Sequence, residues 1–180
     1  MKNSRSKKRR ILNAAQIKVI FERFAREMAK QYGSLDQVAF IGVRTRGPYI
    51  AKRLAEIIKK RHGKAIPIGE MDITLYRDDL NALLPGGTID HTKIPFDIAN
   101  KIVILFDDVL HTGRTVRAAV DHLIDLGRPR MIHLAVMIDR GGRELPIAAN
   151  YVGKKISLKA GGNVEVRLKE VDRADEVLVE

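Results

Sequence analysis

Apolar residues recur at Ile17, Ile20, Phe21, Phe24, Ala25 and Met28 with the three-to-four spacing of one helix face, so the chain from Ala14 to Lys30 reads as an amphipathic helix. Gly33 ends it, and its outer face is cationic. Val38 to Val43 is a short β-branched run and predicts a buried strand, opening into Arg44-Thr45-Arg46-Gly47-Pro48; a helix follows from Tyr49 to Arg61. Ala65 to Tyr76 carries two extended pieces. Arg77 to Pro95 mixes charges, Pro85-Gly86-Gly87 and few apolar anchors, as a mobile loop does. Lys101 to Phe106 predicts a continuous apolar strand, Asp107 to Thr115 a polar turn, and Val116 to Leu126 an amphipathic helix stopped by Gly127 and Pro129. Met131 to Ile138 gives the next strand. After the turn-rich stretch from Asp139 to Pro146 come short extended segments, including Val164 to Leu168 and Val177 to Val179. Strands alternating with helices predict an α/β fold around a parallel sheet.

At 180 residues the chain suits one domain with a core that needs no disulfide. Cysteine is absent, which excludes disulfides, thiolate metal sites and cysteine nucleophiles. No apolar run reaches the roughly 20 residues of a membrane span, and no signal-peptide pattern is present, so a cytoplasmic location is expected. The net charge of +11 calls for an anionic partner, and part of it is local. Lys2, Arg5, Lys7, Lys8, Arg9 and Arg10 form a basic arm over residues 1–10, ahead of a domain over 11–180; the arm is either a solubilising tail or a nucleic-acid contact.

The chemistry concentrates between Ile104 and Thr115. Asp107 and Asp108 follow a buried strand, where open α/β sheets bind ligands. Thr112, Thr115, the amides around Gly113 and the dipole of the following helix make a cradle for a 5′-phosphate. The carboxylates repel that phosphate and suit sugar hydroxyls or hydrated Mg²⁺. Simple turn capping does not require the pair, the strand and Thr112-Gly113-Arg114-Thr115 together, and a Walker-type loop needs a Gly-Lys-Ser/Thr ending absent here. Arg44 and Arg46, on a post-strand loop beside Gly47, are either solvated or charge-assisted donors to pyrophosphate.

The segment from Ile102 to Thr115 resembles the signature by which type I phosphoribosyltransferases bind 5-phosphoribosyl-1-pyrophosphate (PRPP). Gly42 to Gly47, Asp72 to Leu80, Val109 to Arg117 and Asp139 to Ile147 extend the resemblance to the branch of uracil phosphoribosyltransferases that also regulate pyrimidine operons by RNA attenuation. It implies the type I fold: a central, mostly parallel sheet flanked by helices, with a flexible catalytic loop and a small hood. It also implies that uracil and PRPP, with Mg²⁺, give UMP. Asp107, Asp108 and Arg77 would be catalytic, Arg77 heading the loop that closes over PRPP. Arg44, Thr45, Arg46, Asp107, Asp108, Val109, Leu110, His111, Thr112, Gly113, Arg114 and Thr115 would bind PRPP, the two aspartates meeting the metal through PRPP or water. Met137, Ile138, Asp139 and Arg140 would hold the base. Arg23, Arg26, Arg143 and Lys154 match basic positions of an RNA surface that answers to UMP or UTP and takes an mRNA leader hairpin; Glu22, Gly142 and Ala148 depart from that pattern. The branch forms homodimers and homotetramers. A transferase for another base and a non-catalytic nucleotide sensor remain as competing readings, and Phe21 and Phe24 bury either on the sheet or on a partner.

Overall fold

The computed structural model describes residues 8–73, 91–158 and 161–180. The elements in chain order are β1 (Arg9–Leu12), α1 (Ala14–Tyr32), β2 (Val38–Val43), α2 (Gly47–His62), β3 (Ile68–Met71), β4 (Ile102–Leu110), α3 (Arg114–Leu126), β5 (Met131–Asp139), β6 (Tyr151–Lys155), β7 (Val164–Arg167), α4 (Lys169–Asp172) and β8 (Glu176–Val179). Five strands form the central sheet in the order β3-β2-β4-β5-β6, and every pairing in it is parallel. A second, antiparallel sheet, β1-β8-β7, sits with α4 as the expected hood.

Alternation along buried strands divides the core between two layers. In β4, Ile102, Ile104 and Phe106 join Phe24, Phe40, Ile50 and Leu54 beneath α1 and α2, whereas Val103 and Leu105 join Val116, Ala119 and Leu123 beneath α3. Phe21 and Phe24 are therefore buried in this chain's own core. The helix ends follow local chemistry. Asn13 and Gln16 make a reciprocal capping box at the start of α1, and Gly63, left-handed at φ 67°, stops α2.

Four expectations are corrected. Residues 9 and 10, assigned to the arm, belong to β1, where they pair with Val179 and Leu178; Lys8 is ion-paired to Glu165 at 2.6 Å. The acidic pair is not in a turn: β4 continues through Leu110 because β5 extends beside it, with Asp107 opposite Val136 and Leu110 opposite Asp139. Helix α3 begins at Arg114, two residues before the apolar periodicity. Strand β6 was not foreseen, its Tyr-Val-Gly-Lys-Lys sequence lacking a β-branched run. The loop from Arg77, including that arginine, lies almost wholly outside the described residues.

Candidate active site

The strand order changes direction between β2 and β4, and the carboxyl ends of these two strands meet at the place where open α/β sheets bind ligands. Close backbone contact sets the spacing. A Cβ on Gly47 would lie 2.3 Å from the Phe106 carbonyl oxygen, and one on Gly42 would lie 2.2 Å from the Pro48 nitrogen. Only glycine at both positions lets the start of α2 rest on β4 one residue before the acidic pair. The loop between them carries a cis Arg44–Thr45 peptide, and the Arg44 amide donates to the Met71 carbonyl. Arg44 and Thr45 are exposed. Arg46 is not: its Nε and a terminal nitrogen donate to the two Asp172 oxygens at 3.0 and 2.8 Å, and its other terminal nitrogen lies 3.7 Å from Asp108.

Asp107 is buried, and its Oδ1 accepts the Asp108 amide at 2.8 Å. Asp108 is a quarter exposed. Burial holds its carboxyl above the usual range, opposed by Arg46 and the Asp107 contact. The two aspartates sit where β4 changes face, because beyond them Val109 packs toward the α1/α2 layer and Leu110 toward the α3 layer, the reverse of the earlier alternation. Among the described residues no group of three or more His, Cys, Asp or Glu side chains could hold a metal. A divalent cation at the Asp107–Asp108 pair would have to share itself with ligand oxygens and water, which is the habit of Mg²⁺.

Beyond β4, residues 111–113 turn into α3. Gly113 is left-handed at φ 95°, serves as the N-cap residue, and has no side chain with which to cap the helix. Thr115 and Val116 thus present amides at the positive end of a 13-residue helix whose first turn contains no acid, while the Arg114 amide is turned to a neighbouring hydroxyl. The turn is held from behind: Glu144 and Leu145 amides donate to the Thr112 carbonyl at 3.0 and 3.2 Å, and the Arg114 guanidinium meets Glu144 at 2.7 Å. Thr112 Oγ1 accepts the Arg114 amide at 3.3 Å, and Thr115 is half-buried. His111 is exposed against Gly142, and partial burial and Arg140 favour its neutral form.

Of the four base-binding candidates, Met137 and Ile138 are wholly buried in the core, so their side chains offer no open wall. The other two are occupied: Asp139 pairs with Arg143 at 2.6 Å and accepts the Gly141 amide, and Arg140 donates to the Gly162 carbonyl. The basic candidates divide likewise. Arg143 clamps its own loop by donating to the carbonyls of Ile147 and His111, while Arg23 donates to those of Val152 and Gly153. Arg26 and Lys154 are exposed. Asp172 escaped sequence reasoning because it lies 126 residues from Arg46, and nothing in its own neighbourhood marks it.

A profile of the phosphoribosyl transferase domain matches residues 9–170, so the chain belongs to the phosphoribosyltransferase family. A protein from Chloroflexus aurantiacus described as bifunctional protein PyrR is 48% identical over 171 residues, covering 95% of this chain and 94% of the relative. One of the same description from Pelotomaculum thermopropionicum is 46% identical over 172 residues, covering 96% and 95%. Within the family the chain therefore falls in the PyrR branch. Solved structures agree in fold: hypoxanthine phosphoribosyltransferases of Staphylococcus aureus and Trypanosoma cruzi superpose with TM-scores of 0.68 and 0.73 at 21% and 15% identity, covering 94% and 95% of this chain and 90% and 95% of theirs. No described helix is long and apolar enough to cross a membrane.

Proposed function

We propose that the chain transfers the phosphoribosyl group of PRPP to uracil, forming UMP and pyrophosphate, and that it also regulates pyrimidine genes through a UMP- or UTP-responsive contact with an mRNA leader hairpin. The observation that carries the transferase reading is one surface on which an uncapped helix N-terminus at Gly113, the Asp107–Asp108 pair and Arg46 converge, because PRPP alone offers a 5′-phosphate, ribose hydroxyls and pyrophosphate in that order.

In this reading the 5′-phosphate sits on the amides of residues 115 and 116 with the Thr112 and Thr115 hydroxyls, and takes the Arg114 amide as Thr112 Oγ1 gives it up. Asp107 and Asp108 accept from the ribose hydroxyls and face the positive charge that grows on C1 as the pyrophosphate bond lengthens. Arg44 and Arg46 take charge developing on the departing pyrophosphate. Arg77 would approach from the loop outside the described residues and exclude water. Mg²⁺, held by Asp107 and Asp108 through water or PRPP oxygens, would supply further charge neutralisation. A uracil nitrogen bonds to C1 as the C1–O bond to pyrophosphate breaks, its N–H proton passing to water or to the departing pyrophosphate, with base contacts from the backbone at the end of β5 and from Asp139 and Arg140 once their present partners yield. Assembly as a homodimer or homotetramer belongs to the same reading.

Pyrophosphate release from PRPP with uracil, hypoxanthine or guanine tests it. Uracil is expected to be preferred, and Asp108→Asn and Asp107→Asn each to cut kcat/KM by about a hundredfold or more, the scale of losing one preorganised electrostatic contact. Preference for a purine base would replace the uracil reading. Retention of UMP binding with no turnover would leave the chain a nucleotide sensor.

A further inference from the structure

We infer that Arg53, two turns along α2 from Arg46, is a positioning residue for the pyrophosphate grip: it clasps the hood segment that carries Asp172, and Asp172 in turn holds Arg46. This deepens the transferase reading proposed above and rests on it. Arg53 follows Arg46 by seven residues, so both reach the hood from one side of α2, about 10 Å apart along its axis. The Arg53 Nε donates to one Glu170 oxygen at 2.8 Å, and a terminal nitrogen donates to the other at 2.5 Å and to Asp175 at 2.7 Å. One guanidinium thus holds an acid inside α4 and a second beyond its end.

The hood segment needs such a clasp. From residue 169 to residue 176 no side chain is buried, whereas Leu168 before them and Val177 after them sit in the core. Helix α4 is a single turn of four residues. A lone turn is not stable by itself, because nucleation fixes several residues for few hydrogen bonds, so polar contacts must set its place. Among the described residues, the ion pairs made by residues 169–175 all run to Arg46 and Arg53. Main-chain bonds join the two pairings into one unit: Asp175 Oδ1 also accepts the Lys169 amide at 2.9 Å, and Asp172 Oδ2 the Leu168 amide at 2.9 Å, both at the start of α4. A shift of Glu170 or Asp175 therefore shifts the turn that presents Asp172.

Arg53 also lies over the Phe21 ring of α1, 5.8 Å from its centre, so part of its role is structural. Its side chain is only 16% exposed, which sets its pairs apart from solvated surface contacts that hold nothing in place. Burial pushes the Glu170 and Asp175 carboxyls up and the Arg53 hydrogen bonds pull them down, with a net fall that favours their charged forms. Lysine at this position would keep the charge but offers a point cation in place of a planar fork that spans two carboxylates. The order of contacts separates positioning from mere support. Arg53 acts on Arg46 through Asp172, so losses at 53 and 172 fall on the same guanidinium and do not add.

The test measures calorimetric binding of magnesium pyrophosphate and of UMP to the full chain, with PRPP kinetics on the same samples, for the unaltered protein, Arg53→Met, Arg53→Lys, Asp172→Asn and Arg53→Met/Asp172→Asn. Arg53→Met is expected to weaken pyrophosphate binding and raise the KM for PRPP, each by about threefold to fivefold, the scale of ordering one long side chain at binding. UMP carries no pyrophosphate, so its binding should stay unchanged and report an intact fold. Arg53→Lys should fall between Arg53→Met and the unaltered protein, and the double variant should lose no more than Asp172→Asn alone. Additive losses, or equal losses for pyrophosphate and UMP, would reduce Arg53 to a structural support and overturn the inference. Unchanged pyrophosphate binding in Arg53→Met overturns it too and leaves the transferase reading standing. An unaltered protein that neither binds pyrophosphate nor releases it from PRPP with any base overturns the inference and the transferase reading together.

Discussion

Arg46 meets two carboxylates far from it in the chain, Asp108 on β4 and Asp172 on the hood. Asp172 holds it by two hydrogen bonds while its Oδ2 also accepts the Leu168 amide at 2.9 Å, so the carboxylate is itself fixed at the start of α4. These bonds and the nearby charges raise the already high Arg46 pKa, and the Arg46 bond and the Leu168 amide lower that of Asp172 against the opposing effect of burial. The guanidinium is thereby held in place, and in the proposed reaction it is oriented before pyrophosphate arrives. Asp172→Asn removes most of that orientation, and ordering a long side chain at binding costs about 1 kcal/mol. The variant is expected to raise the KM for PRPP about fivefold and to leave the KM for uracil unchanged, as steady-state kinetics with each substrate varied will measure. A lower KM for PRPP would mean instead that Asp172 competes with pyrophosphate for Arg46.

At the scale of elements, the site depends on how closely α2 approaches β4, and glycine permits that approach. An alanine methyl at position 47 would press on the Phe106 carbonyl, which is backbone and cannot turn aside. Overpacking of this kind costs about 3 kcal/mol, equivalent to about 6–12 °C in melting midpoint for a protein of this size. Gly47→Ala should show that loss in a thermal melt, together with weaker PRPP binding, because displacement of α2 carries Arg46 away from Asp108. The sequence made the helices and inner strands legible because their apolar periods are unbroken: α1, β2 and β5 fall within two residues of expectation. It misplaced the end of β4 because Asp107 and Asp108 break the apolar run while the backbone ladder continues on β5. It missed β1 because Arg9 and Arg10 look like tail residues until β8, some 165 residues later in the chain, supplies their pairing. The turn from residue 111 into α3 was legible because its determinants are local, whereas the occupation of Arg23, Arg143 and Asp139 by internal partners was not, since charge alone does not reveal whom a side chain meets.

Across the whole molecule, the site lies at the carboxyl ends of the sheet strands, while near the start of β5 a polar cluster joins α1 to β5 and β6. The hydroxyls of Tyr32 and Tyr151 lie 2.9 Å apart, Tyr151 donates to Gln31 at 2.6 Å, and Tyr32 is hydrogen-bonded to His133 Nδ1. Burial raises the pKa of both tyrosines and lowers that of His133, so the cluster is built for neutral members. The sign for stability follows. Between the depressed folded value and the ordinary histidine value of about 6.5, the unfolded chain binds a proton that the folded chain resists, so this stabilisation is fully present above about pH 6.5 and is lost as pH falls below it. Urea midpoints measured at descending pH are expected to drop over that window. His133→Gln should flatten the drop, leaving a smaller residue from the more exposed His111, whose pKa is lowered in the same sense.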